Sequence, residues 1–74
     1  MLNETHILLF KTSVTNLTER ERIQASLDKH PHIISWTVDL SDEDFVLRVV
    51  ATESNHQFII SMVEDCGFHC QILN

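Results

Sequence analysis

The residues best suited to chemistry in this chain are its two cysteines, Cys66 and Cys70, which frame Gly67-Phe68-His69. Two thiolates with an imidazole beside them could hold a soft or borderline ion, Cu(I) or Zn(II), or serve redox exchange. Core packing is the simpler account. Cys66 falls on the apolar face of a helix and Cys70 at an inward position of a strand, and free cysteine is among the most buried residue types. Gly67 turns the chain between them, so the thiols need not share a face. A disulfide closing so small a loop would stabilise little.

Five histidines, His6, His30, His32, His56 and His69, are many for 74 residues. His30-Pro31-His32 holds the closest pair and suits Zn(II) or Ni(II), but the sequence offers no evident third ligand. Asp39, Ser41 and Glu43, with Asp42 and Asp44, have a calcium-loop flavour but lack the central glycine and the distant bidentate glutamate, so a solvated turn is expected. No Ser/His/Asp set appears. A single glycine in the chain excludes a Gly-rich phosphate loop. The expectation is a non-enzymatic protein.

These residues sit on six short elements. Thr5 to Lys11 is an apolar run too short for a buried helix and reads as a strand, with either Ile7/Leu9 or His6/Leu8/Phe10 facing the core. A loop follows. Asn16 and Thr18 each have a glutamate three residues on, Glu19 and Glu21, so either can open a capped helix running to about Lys29. Leu17 or Arg20, then Ile23, Leu27 and His30, give its 3–4 spacing, and Pro31 prevents continuation. His32 to Leu40 and Phe45 to Ala51 make two strands of a hairpin, with Trp36, Val38, Phe45, Leu47 and Val49 inward. Thr52 or Ser54 caps a second helix carrying Ile59, Val63 and Cys66 on one face. Gly67 stops it, and Phe68 to Leu73 is the last strand. The order β-α-β-β-α-β, with right-handed crossovers, predicts one ferredoxin-like α+β domain over 1–74. Its four-stranded antiparallel sheet has order 4-1-3-2, with both helices on one face.

Composition narrows the partners. Eleven acids against five bases give a net charge of −6, which argues against nucleic acid and against an anionic membrane surface. No apolar run approaches the roughly 20 residues that span a bilayer. The N-terminal stretch lacks a basic region and carries Glu4, a poor leader pattern. The expected setting is cytoplasmic, with reduced thiols.

Two segments carry a family likeness: ERIQASLDKHPHIISWTVDL, with Pro31 at a corner and Val38-Asp39-Leu40 at a strand end, and MVEDCGFHCQIL, with Gly67-Phe68 between helix and last strand. The domain resembles the heavy-metal-associated domain of copper chaperones and metal-transporting ATPases over Ile7 to Leu73. That family holds Cu(I), or sometimes Zn(II), with an M-x-C-x-x-C loop opening the first helix. Counted back from Ile23 and Leu27, the loop maps onto Val14-Thr15-Asn16-Leu17-Thr18-Glu19. Asn16 and Glu19 stand where the thiolates would be, and neither is a soft ligand. The resemblance thus implies the fold but no metal at Asn16 and Glu19, whose residue types instead suit a helix cap. Metal binding or carriage would have to fall to Cys66, His69 and Cys70.

In this fold the helices cover one sheet face only. With Leu47 and Val49 inward, Val46, Arg48 and Val50 point outward. Leu8 and Phe10 join them if Ile7 and Leu9 face the core, and Ile34 is a further candidate. An apolar patch interrupted by Arg48 marks a surface for self-association or a protein partner.

Overall fold

Alternation of apolar and polar side chains decides which way each strand faces. The computed structural model describes residues 5–73; residues 1–4, including Glu4 of the leader reading, and residue 74 lie outside it. Strands β1 (His6–Thr12), β2 (Ile33–Val38), β3 (Val46–Ala51) and β4 (Cys70–Ile72) form one sheet in the order β2-β3-β1-β4. All its pairings are antiparallel. Helices α1 (Leu17–Lys29) and α2 (His56–Asp65) complete the β-α-β-β-α-β order. Read from the other edge, this is the expected 4-1-3-2 arrangement. No helix among the described residues is long and apolar enough to cross a membrane.

Both helices close over the same sheet face. Leu8, Phe10, Leu47, Val49 and Ala51 form one buried cluster with Ile23 and Leu27 of α1 and Ile59 and Val63 of α2. Full burial of each large side chain stabilises by about 1.5–3 kcal/mol. The register left open by the sequence is thereby fixed: Leu8, Phe10 and Thr12 are buried, and Ile7 and Leu9 point outward. Phe10 wins the interior because it pairs with Leu47 across the ladder and meets His56 edge-on, ring centroids 5.6 Å apart. Trp36 faces the helix side, half-buried. Arg20 lies 4.6 Å over its ring, and its Nε1–H donates to Asp28 at 2.8 Å. Arg20, not the exposed Leu17, therefore occupies the first position of the α1 stripe.

Beyond shifts of one or two residues at the ends of β1, β2 and β4, three boundaries differ from expectation. Phe45 does not begin β3. Its N–H donates to the Asp42 carbonyl at 3.1 Å, closing a turn that leaves Phe45 at φ 46°, and the strand starts at Val46. The α2 cap is Asn55, whose side chain accepts from the Gln57 N–H at 3.1 Å, rather than Thr52 or Ser54. Phe68 and His69 precede β4, because their backbone groups are already committed to the helix stop and to Ser13.

The stop itself is a Schellman arrangement. The Gly67 N–H donates to the Glu64 carbonyl at 2.9 Å and the Phe68 N–H to the Val63 carbonyl at 3.3 Å, while Phe68 and Val63 share the core. Gly67 has φ 95°, and a Cβ there would meet no atom within 4 Å. Gly67→Ala is therefore expected to lose only backbone energy, about 1–2 kcal/mol. Urea unfolding checks this; an unchanged midpoint would contradict it.

Candidate functional site

The antiparallel topology brings three loops to one end: β1–α1, β2–β3 and α2–β4. Thr12 ties the first two. Its buried hydroxyl donates to the Phe45 carbonyl at 2.8 Å and accepts from the Val14 N–H at 3.2 Å. Sequence reading places Thr12 in a connecting loop. The signal lies in the alternation itself, since Thr12 continues the inward set after Leu8 and Phe10. Thr12→Val keeps the shape but strands a buried N–H and a carbonyl, at an expected cost of about 1–3 kcal/mol. Thermal unfolding measures it, and faster exchange of the Val14 amide would locate the loss.

Ser13 ties the third loop. Its N–H donates to the His69 carbonyl at 3.2 Å, and its Oγ accepts from the His69 N–H at 2.9 Å. Next comes the start of α1. Asn16 is the N-cap, its Oδ1 accepting from the Glu19 N–H at 2.8 Å. The Glu19 carboxylate turns back onto Thr15, accepting from its N–H at 2.9 Å and its hydroxyl at 2.7 Å. The expected cap thus forms at Asn16 rather than Thr18, with Thr15 in place of Asn16 as the donor to the carboxylate.

These bonds favour the ionised carboxyl, so Glu19 is held below its ordinary value, chiefly by the Thr15 N–H and then by its hydroxyl. A depressed folded pKa adds stability above the unfolded value, lost as pH falls through the folded one. In an acid titration the Thr15 amide resonance should move with a midpoint below that of an ordinary glutamate. In Glu19→Gln that step should vanish.

The two thiols take different surroundings. Half-buried Cys66 points to α1, its Sγ 3.6 Å from the Arg22 carbonyl and 3.7 Å from Ser26 Oγ. Cys70 is buried in β4, and burial, reinforced by Glu64, pushes its thiol up to about 12. At neutral pH it is a thiol, not a thiolate. An open cleft of about 450 Å³ lies beside it, lined in part by Lys11, Ser13, Glu64 and His69. Among the described residues no three His, Cys, Asp or Glu side chains converge as a metal-holding group.

His30 and His32 lie at the opposite end. The His30 ring stacks on Phe58 at 4.4 Å, and its Nδ1 accepts from the His32 N–H at 3.2 Å. The His32 Nδ1 meets Thr52 Oγ1 at 3.0 Å. Asp39 and Asp42 each accept from backbone N–H groups of their own turn, those of Ser41 and Asp44.

The uncovered sheet face carries the remaining candidates. Val46, Arg48 and Val50 face outward as expected, Arg48 exposed and the two valines half-buried. Register places Lys11 beside Val46, Leu9 and Thr37 beside Arg48, and Ile7 and Ser35 beside Val50. Ile7 is 55% and Leu9 38% exposed. The apolar patch exists, but Ile7 and Leu9 build it rather than Leu8 and Phe10.

This fold, with its first loop packed against two others at one end, is that of the heavy-metal-associated domains. The apo domain of the copper chaperone for superoxide dismutase matches with a TM-score of 0.79 and 20% identity, over 96% of this chain and 69% of that one. A chain of the Atx1–Cu(I)–Ccc2a complex matches at 0.77 with 21% identity, over 92% and 94%. Oxidized MerP from Ralstonia metallidurans CH34 matches at 0.78 with 12% identity, over 96% and 100%. No protein-family model and no curated protein matches the sequence. At these identities the likeness establishes the fold alone.

Proposed function

We propose that the chain is a non-enzymatic interaction module on the heavy-metal-associated fold, whose first loop is a helix cap rather than a metal site. Its outer sheet face, around Val46, Arg48 and Val50, is the binding surface for a protein partner or a second copy. A cytoplasmic setting suits its two free cysteines.

One observation carries the reading. The side chains that stand for the family's thiolates, Asn16 and Glu19, are bound into the first turn of α1 by hydrogen bonds of 2.7–2.9 Å. Amide and carboxylate oxygens so engaged do not fit Cu(I), which selects soft sulfur donors. The buried, protonated Cys70 and the α1-facing Cys66 do not replace them. The fold's use in protein association has a parallel in the Atx1–Cu(I)–Ccc2a complex.

Native mass spectrometry of the reduced protein, with and without Cu(I) and Zn(II), tests this. The expected spectrum is metal-free under all conditions. One stoichiometric ion, lost in Cys66→Ser/Cys70→Ser, would replace the interaction module with a metal carrier.

A further inference from the structure

We infer that the outer sheet face docks a different protein, one presenting an apolar surface with a carboxylate that pairs with Arg48. The inference rests on the interaction-module reading and names its partner's chemistry.

Arg48 is misplaced for a merely solvated cation. It sits in the middle row of the face, between Leu9 and Thr37, with Ile7, Val46 and Val50 around it. The chain has eleven acids to choose from, yet among the described residues none lies within 4.0 Å of the Arg48 guanidinium; the one ion pair joins Lys11 to Asp44 at 3.5 Å. Beside Arg48 is a recess of about 130 Å³, lined by Ser35, Trp36, Thr37, Arg48 and Val50. Two hydroxyl residues and one guanidinium at its wall are donors for a carboxylate, and a recess of that size holds one. The apolar strip of Ile7, Leu9, Val46 and Val50 runs alongside. An apolar strip around an arginine anchor is the composition of a protein–protein contact.

Charge selects the occupant. The molecule is strongly acidic, but among the described residues this face bears Arg48 and Lys11 with two acids at its edge, Asp44, already paired with Lys11 at 3.5 Å, and Asp39. The Asp39 carboxylate already accepts from the Ser41 N–H at 3.0 Å and the Ser41 hydroxyl at 2.7 Å, and these bonds hold its pKa low. Among the described residues, a second copy stacked face to face with aligned strands brings no free carboxylate to Arg48. With its axis between β1 and β3, a two-fold along the strands sets Arg48 over the other copy's Leu9, and with its axis through the middle row, one across them sets it over a second Arg48. Either buries an unpaired charge, which is costly. A carboxylate-bearing apolar surface satisfies what self-pairing leaves open.

The probe is octanoate, an apolar chain ending in a carboxylate, with octylammonium as its charge-reversed control, titrated into the ¹⁵N-labelled protein. Octanoate should shift the amides of Ser35, Thr37, Arg48, Val50 and Leu9, binding about ten-fold more tightly than octylammonium. Arg48→Gln, exposed and outside the core, should remove that preference with the rest of the spectrum unchanged. Equal binding of the two probes, or shifts confined to another face, would overturn the inference. Sedimentation of the same samples separates the failures. A metal-free dimer that persists in Arg48→Gln keeps the interaction module and refutes the acidic partner. A monomer that ignores octanoate and takes up one Cu(I) refutes both.

Discussion

Asn16→Cys/Glu19→Cys, made together in a Cys66→Ser/Cys70→Ser background, should convert the chain into a binder of one Cu(I). Each single variant should not do so. The backbone already suits such a site. Position 16 is the N-cap and position 19 lies in the first turn of α1, so two thiols there point at the same helix N-terminus. The positive end of the helix dipole favours thiolates over thiols, and two thiolates are the donor set Cu(I) selects. Removing the Asn16 cap should cost the apo form about 1 kcal/mol, and Cu(I) should return more than that by binding only the folded state. The affinity gain over the parent should reach at least about a thousand-fold, or ~4 kcal/mol. Competition against a chromogenic Cu(I) chelator measures it. A double variant that folds and stays metal-free would mean that the first loop differs from a metal loop in more than two residues, and the account of Asn16 and Glu19 would fail.

The cap behind this expectation is legible in the sequence because local chemistry dominates there. A cap needs only an Asn and a Glu three apart, and both bonds form within four residues. The same locality makes Gly67 readable as a stop, and Pro31 as a corner. Long-range ties are not readable. Thr12 reaches Phe45 across 33 positions, and nothing in a loop threonine announces such a partner. Phe45 reads as the first inward residue of β3, because alternation alone cannot register that its N–H is taken by Asp42 and its backbone turned to φ 46°. The candidate site divides in the same way. Val46, Arg48 and Val50 are placed by period-two alternation, whereas the recess at Arg48 needs β2 beside β3, a fact of pairing rather than of pattern.

Strand-one register is open in the sequence for a related physical reason: every residue from Ile7 to Phe10 is apolar, so neither face is marked. Composition hides a sharp energetic asymmetry, and paired alanine substitutions should expose it. Phe10 is fully buried, between Leu47 and Ile72 on the ladder and against the His56 ring. Phe10→Ala deletes the ring and leaves a cavity, at an expected cost of about 3–5 kcal/mol. For a 74-residue chain, whose core typically supplies only a few kcal/mol net, that approaches the whole stability. The variant should be largely unfolded at 25 °C by circular dichroism. Leu9, one residue away on the uncovered face, is 38% exposed. Leu9→Ala should cost under about 1 kcal/mol, yet it should weaken octanoate binding at the outer face. A one-residue slip of β1 would exchange every inward side chain for an outward one. A large loss at Leu9 with a small one at Phe10 would therefore invert both the core and the proposed docking surface. The expected pattern, collapse at position 10 and lost binding at position 9, follows from burial in one case and exposure in the other.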